Sequence, residues 1–386
     1  MMFEMYWLLL LMAGAAGWYL AYIYYRSRPK PKIPGEYLKG LNYLLDEQPD
    51  KALEVFIDLV DVDTETVETY LILGNMFRRR GEVDRAIRIH QNLIARPALG
   101  ANYRSTALLE LAKDYFKAGL LDRAESLFVE VVKLGLQAEE AYPLLLSLYE
   151  QEKEWEMAIE TATEMQKKSD KRMNQTIAHY YCELSEQESA GHAGDLAAAR
   201  KMARKALSHD KGCARANVLL GNYAMHEKNC RVAIKHYTGV FRQKPEYLPE
   251  IFLKLREAFL MQDNQDGFRQ FLLKIRDSKL SGILLPALLT NLTLNETERN
   301  EVLQLLEHKP ELSLPEISAF LENLRQQEKS LGELGADRIQ ASIENFISGC
   351  NSHQCRQCGF QGKRLYWQCP SCHYWGTVIP VVPGLE

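Results

Sequence analysis

Between residues 36 and 275 the apolar positions recur at helical spacing in paired blocks, and the smallest of them mark a longer period. Ala52, Ala86, Ala124, Ala158, Ala199, Ala233 and Gly267 follow one another at intervals of 34, 38, 34, 41, 34 and 34 residues. Twelve residues before most of them stands a second marker, Gly40, Gly74, Ala112, Leu146, Gly221 or Leu255. Tyr43, Phe77, Tyr115, Tyr149, Ala224 and Ala258 come three residues after that marker. Phe56, His90, Phe128, Ala162, Ala203, Tyr237 and Phe271 come four residues after the small one. Each unit therefore reads as two amphipathic helices whose backbones approach at the small residue while a larger side chain fills the space beside it. One such hairpin cannot bury its apolar face alone, so successive hairpins must stack over a continuous core.

The departures from the period also carry information. The interval of 41 leaves seven residues over, and the polar, glycine-bearing stretch Ser189–Asp195 is the place for a loop insertion. From Leu280 to Ile347 the pattern stays helical but is broken by Pro286, Pro310 and Pro315, which reads as degenerate repeats and a connecting helix. The period of 34 and the Gly/Tyr/Ala/Phe markers, as in the run from Leu73 to Ile87, resemble the tetratricopeptide repeat family. That resemblance implies a solenoid that binds peptides or proteins on the face lined by the first helix of each pair. By that geometry Asn75, Arg78, Lys113, Asn222 and His226 are candidates for a partner groove. Cys182, Cys213 and Cys230 lie inside the helical region without ligand spacing and read as packing residues.

Ahead of the repeats, Met5–Tyr25 carries no charge over 21 residues. As a helix it would reach roughly 32 Å, enough to span a bilayer. Aromatic residues at both ends, Tyr6 and Trp7 against Tyr22, Tyr24 and Tyr25, suit the two interfaces. A cleaved signal peptide is the rival reading, but no basic residue precedes the run and it continues well past Ala13–Ala16. Arg26, Arg28, Lys30 and Lys32 follow it directly, which predicts a single-pass anchor with the bulk of the chain on the cytoplasmic side. Pro29, Pro31 and Pro34 make residues 26–35 a stiff basic linker.

Net charge is −4, so no global basic field is available to hold nucleic acid. The eight cysteines do not form a disulfide framework, because five of them crowd into the last part of the chain. Cys355, Cys358, Cys369 and Cys372 make the pattern C-x₂-C-x₁₀-C-x₂-C, two thiolate pairs on two tight turns that can converge on one tetrahedral ion. Gly359 permits the backbone of the first turn and Pro370 stiffens the second. Phe360, Tyr366, Trp367, Tyr374 and Trp375 are available to pack so small a unit, and Cys350 reads as a further buried thiol. The pattern resembles rubredoxin-like and zinc-ribbon modules, with two departures: a short gap between the pairs and His373 where rubredoxins place a second glycine. One Zn or Fe ion on four thiolates is expected, and spacing does not choose between them. Cys369–His373 is also a formal haem-attachment string, but that reading leaves Cys355 and Cys358 without a role. Arg356, Lys363 and Arg364 are a thin footprint for RNA or DNA, so no nucleic-acid partner is expected.

Together these give an all-α tetratricopeptide solenoid with an N-terminal transmembrane helix and a small C-terminal rubredoxin-like, zinc-ribbon domain. Its divisions are an anchor at 1–25, a linker at 26–35, repeats at 36–275, degenerate repeats and a connecting helix at 276–347, and a metal-binding domain at 348–386. No G-x-S-x-G, phosphate loop or H-E-x-x-H is present, so no catalysis is expected. The whole order resembles the lipopolysaccharide assembly protein B family of the Gram-negative inner membrane. The resemblance implies a scaffold or adaptor that regulates lipid A synthesis, helps the membrane protease FtsH degrade the pathway's committed-step deacetylase, and contacts other lipopolysaccharide-synthesis proteins. A membrane-tethered rubredoxin-like electron carrier is the alternative, and the sequence sets no oligomeric state.

Overall fold

The structure, a computed structural model, describes residues 12, 14–23, 38–40, 42–43, 48, 51–52, 54–55, 64–97, 99–169, 172–190, 195–276, 317–318, 343–344, 347 and 349–381. Within the apolar segment Met5–Tyr25, residues 14–23 are helical and exposed. Among the described residues no helix is long and apolar enough to cross a membrane. The rest of that segment, the basic linker, Phe56 and nearly all of 277–348 lie outside the described residues.

Twelve helices are described in full: α1 (Thr64–Arg79), α2 (Val83–Ile94), α3 (Ala101–Lys117), α4 (Leu121–Leu134), α5 (Ala138–Glu152), α6 (Trp155–Lys168), α7 (Asn174–Ala190), α8 (Leu196–His209), α9 (Ala214–His226), α10 (Cys230–Gln243), α11 (Leu248–Met261) and α12 (Gln265–Arg276). A short 3₁₀ turn, Pro245–Tyr247, leads into α11. The expected loop at Ser189–Asp195 begins later, because α7 continues through Ser189 and Ala190.

Five of the six described helix pairs share one turn. A residue with positive φ, Gly81, Gly119, Lys153, Lys228 or Asp263, stands two positions before the second helix. The next residue's N–H donates to a carbonyl five residues back: Glu82 to Phe77, Leu120 to Tyr115, Glu154 to Tyr149, Asn229 to Ala224 and Asn264 to Phe259, at 2.8–3.0 Å. That is the left-handed cap which satisfies orphan carbonyls at a helix end. It fixes the angle at which each second helix folds back.

The chain divides into two compact units, Met1–Ala141 and Tyr142–Glu386. In the first, α1 and α2 close over Tyr70, Leu73, Phe77, Ala86, Ile89 and Leu93, with Ala52 and Ala107 completing the cluster. The His90 ring lies against Gly74 so closely that any Cβ there would overlap it. His90 is buried, and its Nδ1–H donates to Asp114 at 2.5 Å. Asp114 also accepts from Arg78 at 2.7 Å, Arg78 donates to Glu110 and Asn75, and Lys113 joins Glu110 to Glu140. Burial works against the charge on Glu110, but Lys113 and Arg78 hold its carboxyl below the usual range.

In the second unit α7 packs on α6, α8 and α9, α9 on α10, α10 on α11 and α11 on α12. Ala158, Ala199 and Ala233 are fully buried at the predicted approach points. Gly221 repeats the Gly74 arrangement, with the Tyr237 ring in the space of a missing Cβ. Cys182, Cys213 and Cys230 are buried and unbridged. At the C-terminal end of this unit β1 (His353–Cys355) pairs antiparallel with β2 (Gln361–Gly362) and β3 (Val378–Pro380), in the order β2-β1-β3.

Candidate metal centre

Two matching turns carry the four cysteines. In the first, the Gly359 N–H donates to the Cys355 carbonyl at 2.9 Å and Gly359 has φ +77°. In the second, the His373 N–H donates to the Cys369 carbonyl at 2.9 Å, and His373 has φ +56°. The histidine thus adopts the glycine's conformation despite its side chain. The turns bring Sγ of Cys355 to 3.7 Å from Cys372 and Sγ of Cys358 to 3.7 Å from Cys369, and all four sulfurs lie within 4.8 Å of one another. A tetrahedral ion at about 2.3 Å from each sulfur requires sulfurs about 3.8 Å apart. Cys355 and Cys369 are buried, Cys372 is half-buried and Cys358 is exposed. Cys350 stands outside the group.

The electrostatics also suit a cation. Burial works against ionising Cys355, but hydrogen bonds from the Thr377 hydroxyl and the Cys358 and Gln357 backbone bring its thiol down to about 6. Cys372 is pushed up to about 12, because burial and the other three sulfurs outweigh the Tyr374 N–H. Four thiolates cannot all ionise side by side unless a positive ion replaces their protons. The donor set therefore fits one Zn or Fe ion, which when bound would supply the folding energy of a unit this small. The buried core of the module is Cys355, Cys369 and Val378, so two of its three members are themselves ligand positions.

The aromatic residues do not all close around the cysteines. Phe360 and Tyr366 pack edge to face within the module, whereas Trp367 and Trp375 turn toward the helices. Trp375 stacks on His179 at 5.3 Å and meets Trp155 and Tyr180 edge-on. Its indole N–H donates to Glu150 at 3.0 Å, and the Gln368 amide donates to the same carboxylate at 2.8 Å. Tyr247 donates to the Val378 carbonyl at 3.0 Å and its ring lies 5.2 Å from that of Trp367. His353 pairs with Glu250 at 3.0 Å, and Arg356 with Glu246 at 3.4 Å. Arg215, held by Glu183 and Glu186, lies over the rings of both Trp367 and Trp375. Among the described residues the module lies on α5, α7, α9, Trp155 at the start of α6 and the 3₁₀ turn leading into α11, where its two indoles and its polar donors find their partners.

The candidate groove residues fall in two places. Asn75, Arg78 and Lys113 belong to the polar network of the first unit and are already engaged. In the second unit Asn222 accepts from the Tyr237 hydroxyl at 2.9 Å, and His226 is exposed at the end of α9. Sequence reasoning missed Glu150, His179, Arg215 and Tyr247. Their only signal was a polar or aromatic residue on a first helix or, for Tyr247, on the 3₁₀ turn ahead of one, and no local spacing links them to residues some 130 to 225 positions away.

Residues 353–380 match the family model for a rubredoxin metal-binding domain, 69–100 that for a tetratricopeptide repeat and 111–136 that for a PPR repeat. Among solved structures, one of MamA is similar over 48% of this chain and 98% of that one, at 22% identity and a TM-score of 0.29. Lipopolysaccharide assembly protein B of Escherichia coli strain K12 is 30% identical, covering 98% of both chains. The protein of that name from Haemophilus influenzae is 32% identical, again over 98% of each. The similarity thus runs over nearly the whole of each chain, and the chain belongs to the lipopolysaccharide assembly protein B family.

Proposed function

We propose that this chain is a non-catalytic adaptor in lipopolysaccharide assembly, held at the inner membrane by Met5–Tyr25 with its bulk on the cytoplasmic side. The observation that carries this reading is similarity over 98% of both chains to proteins named for that process. In the finer reading the repeats present the committed-step deacetylase of lipid A synthesis to FtsH and contact other lipopolysaccharide-synthesis proteins. Cys355, Cys358, Cys369 and Cys372 hold one Zn or Fe ion, supported by four sulfurs within 4.8 Å of one another. The anchor at 1–25, the linker at 26–35, the repeats at 36–275, the degenerate region at 276–347 and the metal domain at 348–386 then divide the work. Confinement to the membrane plane raises the effective concentration of the repeats near membrane-bound partners.

The test is replacement of the resident protein in a bacterium that depends on its own relative. The full chain should shorten the lifetime of the deacetylase only while FtsH is active. The form lacking Met1–Tyr25 should do so poorly, and Cys355→Ser should release metal and lose regulation. A deacetylase lifetime indifferent to the full chain refutes the adaptor reading, and full activity of the truncated form removes the anchor from it. Visible absorption identifies the metal, since ferric thiolate is red and zinc is colourless.

A further inference from the structure

The first-helix face of the second unit is filled by the chain's own ribbon, and the carboxylates at the seam all belong to the helical side, although Tyr247 and Gln175 also donate to ribbon carbonyls. The helices offer carboxylates: Glu150, Glu246 and Glu250. The ribbon offers donors and a cation: the Trp375 indole, the Gln368 amide, His353 and Arg356. No acidic residue occurs between Cys350 and Leu385. Gln368 and Trp375 flank the second cysteine turn and form a bridge with each other, so the geometry of that turn sets both donors on Glu150. The helices behind this face have their own buried cores, around Ala199, Ala203 and Tyr223 and around Tyr237, Phe252 and Leu255; the ribbon adds only half-buried Leu365, Trp367 and Ile379 against the second. The ribbon's core, by contrast, is mostly its ligands. The seam between them is not fully closed either: a cleft of about 370 Å³ opens beside Trp155, Glu183, Trp367 and Tyr366.

We propose that the ribbon is a removable occupant of this face, seated by the metal, and that its release opens the face to a partner segment which presents an indole and donor or cationic groups and lacks acids. The metal-loaded chain is closed to such a segment. Without the ion the cysteine turns lose their geometry, Gln368 and Trp375 leave Glu150, and the face regains an acceptor for an incoming indole N–H. This inference rests on the metal reading above.

The test uses the full chain in detergent and a labelled peptide copying residues 373–380, with metal content measured on the same sample. Chelation should strengthen peptide binding by about tenfold or more while the helical signal is retained. A peptide with alanine in place of its tryptophan should gain nothing, and Glu150→Ala should weaken binding to the chelated chain about tenfold. The tryptophan-free peptide tests the same contact without any variant of the protein. Equal binding before and after chelation, no binding in either state, equal binding of the tryptophan-free peptide, or loss of the helices on chelation each overturns the inference. A chain that carries no metal as isolated overturns both this inference and the metal reading; one that carries metal and fails the binding test overturns this inference alone.

Discussion

Glu150 accepts the indole N–H of Trp375 at 3.0 Å across 225 residues of sequence. The same carboxylate takes the Tyr180 hydroxyl at 2.6 Å and the Gln368 amide at 2.8 Å. One side chain on a repeat helix thus gathers a donor from its neighbouring helix and two from the ribbon. Glu150→Ala would leave all three donors without their acceptor in a mostly buried seam, at a cost of about 3 kcal/mol or more. Glu150→Gln keeps an acceptor but loses the charge and should cost about half as much. Urea unfolding followed by tryptophan emission measures both, and equal stabilities would show that the seam does not depend on this carboxylate.

Gly376 predicts a second effect at the same seam. Its φ is +64°, and a Cβ there would lie 2.8 Å from Nε2 of His179 and 3.0 Å from Nε2 of Gln175. Gly376→Ala should therefore carry both the left-handed penalty of about 1 kcal/mol and a steric push against α7. Gly135→Ala is the control, since Gly135 also has positive φ but open space around it. Thermal melting should show the larger loss for the Gly376 variant; equal losses would mean that the seam yields without cost.

These contacts also show what a sequence can and cannot disclose. The hairpins were legible because Gly74 and His90, like Gly221 and Tyr237, stand sixteen residues apart in the period and meet in space as glycine against ring. The four cysteines were legible because their chemistry needs that local spacing. The repeated left-handed turn was only partly visible, since Gly81 and Gly119 announce it while Lys153, Lys228 and Asp263 do not. The seat of the ribbon was not legible at all: Trp367 and Trp375 read as core for their own module, and only the folded helices show the larger apolar face that they cover.

His373 predicts a gain. It occupies the turn position that Gly359 fills in the other cysteine pair, with φ +56° against +77°. A non-glycine residue held there costs about 1 kcal/mol. The His373 side chain is exposed, so replacing it removes little packing. His373→Gly should stabilise the metal-loaded module by about 1 kcal/mol, less the extra backbone entropy of glycine in the unfolded chain. Chelator competition should show metal retained at least as well as in the parent chain. Weaker retention would assign His373 a contact of its own.

His179 makes the seam sensitive to acid. It is buried against Trp375 with no partner for Nδ1, and burial together with the Arg215 and Lys244 charges pushes its pKa down to about 3. In the unfolded chain it titrates near the usual value of about 6.5. Between those two values the unfolded chain binds the extra proton, so this stability is full above pH ~6.5 and falls as the pH drops toward ~3. The difference amounts to about 2 kcal/mol at pH 5. His179→Phe keeps a ring against Trp375 and removes the titration. At pH 7.5 the two proteins should unfold at similar urea concentrations, while at pH 5 the variant should be the more stable by about 2 kcal/mol. Protonation of the cysteine sulfurs acts on both proteins alike, so the difference between them isolates the histidine. Parallel pH profiles would show that the His179 ring takes its proton in the folded chain without disturbing the seam.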